Sequence, residues 1–183
     1  MHYKNFASRC PQFASALALA FAITAAFMAW SDVPPPSVNA PDILSDIRID
    51  GAHIVVTKLW DRNRGWDEVM AKIATGKKEW LDVAAALRPG TDGGASQTLD
   101  EAVFLALQSA PVAVLKLLDG NPFDTDSVCS SNIGTDYSPE KSIRFVRDRI
   151  IVLHRLSDPD LQAVRTHCLN SLRAALKELA DSK

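Results

Sequence analysis

The chain has 183 residues, of which 47% are hydrophobic, 7% aromatic and 23% charged, and that composition excludes a disordered tail, a collagen or a polybasic arm. With 20 Lys and Arg against 22 Asp and Glu the formal net charge is −2, which leaves no basic footprint for nucleic-acid binding.

Residues 1–31 carry Lys4 and Arg9, no acid, and an apolar run from Phe13 to Trp30 broken by Ser15 and Thr24. A basic start followed by an apolar stretch is the layout of a bacterial secretory signal. Ala29-Trp30-Ser31 sets small residues at −3 and −1 and predicts cleavage before Asp32. Val38-Asn39-Ala40 fits less well, because Pro41 would follow the cut. The alternative is a retained anchor, since 18 mostly apolar residues approach the roughly 20 needed to cross a bilayer. Cys10 precedes the apolar run and is not placed for lipid attachment. The expected location is periplasmic or secreted, or, with the anchor kept, the inner membrane facing the periplasm. Any membrane contact would come through this segment alone.

Asp32 to Pro41, with Pro34-Pro35-Pro36, reads as a stiff polyproline tether. Residues 42–183 read as one domain. Removing residues 1–31 leaves 18 basic against 22 acidic residues, and a chain of about 150 residues buries roughly 68–70% of its unfolded surface without help from a metal.

From Asp46 to Thr57 the signals conflict. Asp50-Gly51 flanked by β-branched residues is a hairpin signature, yet one isolated hairpin is marginal in water and nothing downstream supplies further strands. The expectation is a small β-hairpin near residues 46–59 or a frayed helix in its place.

Beyond this the period is helical. Trp66, Val69, Met70 and Ile73 share a face that Gly76 ends, and Trp80, Leu81, Ala84 and Leu87 mark a helix from Lys78 to Leu87 stopped by Pro89-Gly90. Thr91 to Ser96 reads as a flexible loop, with Thr98 to Glu101 spaced as a capping box that opens a third helix. Pro111 suits the first position of a fourth, ended by Asp119-Gly120. Ser138-Pro139 and Asp158-Pro159 each announce a longer amphipathic helix. Six helices on short connections predict an all-α fold, either a bundle or a short stack of helical hairpins.

Cys129 and Cys168 are the cysteines left after signal removal, and an oxidising compartment predicts a bond between them. That bond would clip the long loop Asn121 to Tyr137 onto the last helix. Asp124-Thr-Asp126-Ser starts like a calcium loop, but Val128 and Cys129 stand where a ligand and the turning glycine belong. His53, His154 and His167 sit in no metal-ligand spacing, so neither metal nor cofactor is expected. Gly93-Gly94-Ala95-Ser96 lacks the preceding strand of a phosphate cradle.

Long loops tend to carry function, which makes Phe123, Asp124, Asp126, Asn132 and Tyr137 candidates for a binding surface. Trp60 and Trp66 bracket Asp61-Arg-Asn-Arg-Gly65 and form a second candidate cluster. Charge is uneven: residues 89–137 hold one base and seven acids, whereas residues 138–183 hold nine bases and six acids. Such polarity steers charged partners or brings two copies together. With no G-x-S-x-G or S-x-x-K motif, the expectation is a small exported binding module, an inhibitor or immunity-type protein that recognises another envelope protein. The alternatives are an envelope hydrolase using carboxylates among Asp92, Glu101, Asp124 and Asp126, or a helical carrier of an apolar ligand.

Overall fold

Asn39 caps the first helix: its Oδ1 accepts from the Asp42 amide at 3.0 Å, satisfying one of the donors that a helix start leaves orphaned. The computed structural model describes residues 38–61, 65–120, 122–130 and 137–181. The expected signal, and the tether up to residue 37, lie outside the described residues. Among those residues there are nine α-helices and no strand. They are α1 (Ala40–Asp50), α2 (Ala52–Asp61), α3 (Gly65–Ile73), α4 (Lys78–Leu87), α5 (Gly93–Ala106), α6 (Pro111–Asp119), α7 (Thr125–Cys129), α8 (Pro139–His154) and α9 (Gln162–Asp181). Short 3-10 turns, Arg88–Gly90 and Pro159–Leu161, precede α5 and α9.

The all-α expectation holds, and its details change in four places. The hairpin near residues 46–59 is instead the pair α1 and α2. Gly51 has φ 86° and donates its amide to Ile47 O at 2.9 Å, so Asp50-Gly51 ends a helix and does not turn a ribbon. As helices these residues bury Ile43, Val55, Val56 and Leu59, which outweighs the β preference of their side chains. The flexible loop expected at Thr91 to Ser96 is shortened, because α5 begins at Gly93. Thr98 therefore lies in the second turn and is no cap. The loop Asn121 to Tyr137 contains α7, capped by Asp124. Asp158 caps a 3-10 turn, and α9 follows it. Nine helices replace the six expected.

One core cluster runs from Ala40 to Leu172, with Val83, Leu87, Leu99, Val103, Phe104, Leu107, Leu115, Leu153 and Leu172 fully buried. α4 packs on α1, α2 and α3; α5 packs on α3 and α7; α9 packs on α6, α7 and α8. Burial of these aliphatic side chains supplies the main driving force, roughly 25 cal/mol per Å² of apolar surface.

Gly90 marks the closest backbone approach. A Cβ there would stand 2.3 Å from the Ala52 carbonyl carbon and 2.4 Å from the His53 nitrogen. Gly90→Ala is expected to cost about 2 kcal/mol, as overpacking does, and to lower the thermal midpoint by roughly 4–8 °C, measured by circular dichroism. An unchanged midpoint would mean that α2 and the turn do not meet backbone to backbone.

Candidate functional site

Cys129 and Cys168 are both fully buried. Their sulfurs stand at bonding distance, 2.03 Å, with Cα atoms 5.2 Å apart and the two residues 39 positions apart in sequence. The bond joins α7 to α9. A helix of one and a half turns has no stability of its own, so α7 depends on its cap and its attachments. Asp124 Oδ2 accepts from the Ser127 amide at 2.7 Å and from Ser127 Oγ at 2.8 Å.

Asp126 lies three residues before Cys129, and Ser171 lies three after Cys168, so the bond brings them face to face. Ser171 Oγ donates to Asp126 Oδ1 at 2.6 Å, and His167 Nε2 lies 2.9 Å from the same oxygen. The Ser171 hydrogen bond, and behind it the bond and charge of His167, hold the Asp126 carboxyl below its ordinary 3.8. Serine and imidazole both address one carboxylate oxygen, an arrangement that fastens two helices. Nucleophilic catalysis needs the base on the hydroxyl instead.

α5 supplies the facing wall. Between it and α7 opens a cleft of about 430 Å³, lined by Gly93, Ser96, Gln97, Asp100 and Glu101 on one side and by Asp124, Asp126, Ser127 and Ser130 on the other. Asp100 is only 8% exposed. Arg88 Nη1 stands 2.9 Å from Asp100 Oδ1 but donates to Ser96 Oγ at 2.6 Å; the Asp100 contact is an ion pair, and Oδ1 receives no aligned hydrogen bond. Burial pushes the Asp100 carboxyl above 3.8, the Arg88 charge pulls it back, and the Asp124 charge adds to the rise. Arg88 also rests 5.0 Å from the centre of the Phe123 ring.

The structure sorts the candidate residues by depth. Asp124 and Asp126 are exposed and line the cleft. Phe123 and Trp66 are buried and act as supports, not surface: Phe123 lies under Arg88, and Trp66 donates Nε1–H to Thr98 Oγ1 at 2.8 Å. Trp60 is 49% exposed, with its ring 5.6 Å from that of Trp66 and its indole edge over Gly94. Tyr137 is half-buried, edge-on to Phe145 at 5.3 Å, and borders a separate hollow of about 230 Å³ that it shares with Thr98, Glu101 and Leu105. Asn132 and residues 62–64 lie outside the described residues. Of the carboxylates considered for hydrolysis, Glu101, Asp124 and Asp126 share the cleft, while Asp92 sits at the α5 start.

Sequence reasoning missed Asp100, Arg88, Ser171 and His167 as parts of the site. The signal for the last two was available, since a bond at Cys168 aligns its neighbours at −1 and +3 with α7. Among the described residues no group of three or more His, Cys, Asp or Glu side chains is placed to hold a metal, and no helix is long and apolar enough to cross a membrane. No protein-family model, curated protein or solved structure matches the chain.

A carboxyl held below its ordinary value stabilises the folded chain above that value and loses the contribution as the pH falls through its folded pKa. Asp126→Ala is therefore expected to lower the thermal midpoint at pH 7, with the gap to wild type closing below the ordinary carboxylate value of 3.8. Midpoints recorded from pH 7 to pH 3 check this. A gap that stays constant over the whole range would show that Asp126 fastens nothing through its charge.

Proposed function

We propose that this chain is an exported binding module whose acidic cleft takes up a positively charged segment of a protein in the cell envelope. The observation that carries the reading is the gathering of Asp100, Glu101, Asp124 and Asp126 around one cleft whose described lining holds no Lys or Arg side chain. Arg88 compensates Asp100 from below. Carboxylates facing a guanidinium form charge-assisted hydrogen bonds stronger than neutral ones, and Ser96, Gln97, Ser127 and Ser130 offer neutral partners to a peptide backbone. The exposed Trp60 ring over Gly94, beside the Gly93 end of the cleft, presents an aromatic face of the kind that attracts cations. Export rests on residues 1–31. An inhibitor or immunity-type role agrees with a charged recognition surface on a small rigid body.

The alternative of a hydrolase with paired carboxylates draws on Glu101, Asp124 and Asp126 around one cleft and on Asp100, a buried carboxyl raised beside Asp124, as acid–base pairs often are. Its ion pair with Arg88 favours a structural place for it. An apolar carrier fits less well, because Asp, Glu, Ser and Gln side chains wall the cleft.

Titration of the exported chain with a synthetic Arg-rich decapeptide, followed by tryptophan fluorescence, tests the binding reading. Gln97→Lys places a cation in the cleft without removing any of its carboxylates and is expected to weaken binding about tenfold or more, as like-charge placement does. Raising the salt from about 50 to about 500 mM should weaken wild-type binding as well, because ions screen exposed charges. Equal affinity of wild type and Gln97→Lys would overturn the reading.

A further inference from the structure

We infer that the cleft receives the basic outer face of α8 and α9 from a second copy of this chain, so that copies join cleft to helix face; this rests on the reading of the cleft as a site for cations. At 100° per residue, Arg144, Arg147, Ile151, His154 and Arg155 fall within one arc of about 100° on α8, and all five are exposed. The opposite arc buries Ser142, Val146, Arg149 and Leu153. Among the described residues, Arg144, Arg147 and Arg155 have no carboxylate partner in the ion pairs formed. α9 extends the face: Arg173 Nη2 lies 3.0 Å from His154 Nε2, and Lys177 follows one turn later. Glu140 lies in the same arc one turn before Arg144, and Asp148 borders it; against these two acids the face with Arg144, Arg147, Arg155, Arg173 and Lys177 keeps an excess of positive charge. Ile151, 48% exposed, gives it an apolar centre.

Within one molecule the stripe and the cleft do not meet. Ser171 reaches α7, and Arg173, two residues on, points about 200° further around α9, to its other side. The stripe from Arg144 to Arg155 is about 16 Å long and the α5 wall from Gly93 to Glu101 about 12 Å, at 1.5 Å per residue, so about three quarters of the stripe can lie along the wall of opposite charge. The junction uses different patches on the two copies, and such contacts repeat from copy to copy. One helix face in one cleft is a small interface, which makes the association weak and salt-sensitive.

Sedimentation of the full exported chain tests this directly. Wild type is expected to gain average mass with concentration up to about 0.1 mM at low salt and to lose it at high salt. Arg144→Glu/Arg147→Glu, which reverses the stripe, and Gln97→Lys, which blocks the cleft, are each expected to be monomeric. An equal mixture of the two retains one intact stripe and one intact cleft and should give a dimer and nothing larger. A monomeric wild type, a monomeric mixture or continued assembly of either variant would overturn the inference. So would a monomeric chain whose stripe binds vesicles of anionic phospholipid and loses them on Arg144→Glu/Arg147→Glu. If the decapeptide still binds a monomeric wild type, the self-association fails and the cleft reading stands; if the decapeptide does not bind, the cleft reading itself has failed.

Discussion

The covalent link between Cys129 and Cys168 is the constraint on which the candidate site depends. It spans 39 positions, and closing a loop of that length in the unfolded chain is worth about 4 kcal/mol in the chain-entropy estimate. Its local consequence matters more than its total. A five-residue helix is otherwise too short to persist, yet α7 and its two caps carry Asp124, Asp126, Ser127 and Ser130 of the cleft. With both sulfurs buried, the bond also anchors Val128 in the core and turns Asp126 toward Ser171 and His167.

The facing wall is held by ordinary packing from several sides. Trp66 grips α5 at Thr98, and Arg88 ties Ser96 and Asp100 together. At the far end of α5, the buried Arg149 of α8 donates to the carbonyls of Phe104 at 3.5 Å and Leu105 at 3.2 Å, satisfying acceptors that a helix end leaves open. Its guanidinium also lies 4.8 Å from the centre of the Phe104 ring. A positive group at a helix C-terminus is favourable against the dipole. One wall is therefore fixed through α3, α8 and the Arg88–Gly90 turn, and the other through the disulfide. A cleft between two such supports holds its carboxylates in place, which under the proposed binding role lowers the ordering cost of taking up a partner.

Much of this was legible in the sequence where local signals were unambiguous. The bounds of α4 follow from its apolar spacing and the Pro89-Gly90 stop, and α6 and α8 begin at prolines that suit a first helical position. The cysteine pair followed from the oxidising compartment expected from the N-terminal sequence. The failures have physical causes. Asp50-Gly51 serves a hairpin turn and a helix end through the same positive φ, and only the burial of Ile43 and Val55 decides between them. Gly93-Gly94 reads as flexible, but both residues open α5, Gly93 with a positive φ of 40°. α7 is shorter than the period that would announce it. Arg88 and Asp100 meet across a turn, a contact that no spacing rule encodes.

Amide hydrogen exchange on α7 is the most direct measurement of the role given to the disulfide. The Val128 and Ser130 amides donate to Asp124 O at 3.1 Å and Asp126 O at 2.8 Å. They should be protected in the oxidised protein and lose that protection after reduction by excess dithiol, while the amides of α4 and α8 remain slow. Equal protection of Val128 and Ser130 in the oxidised and reduced chains would contradict it, because α7 would then hold its place without the bond.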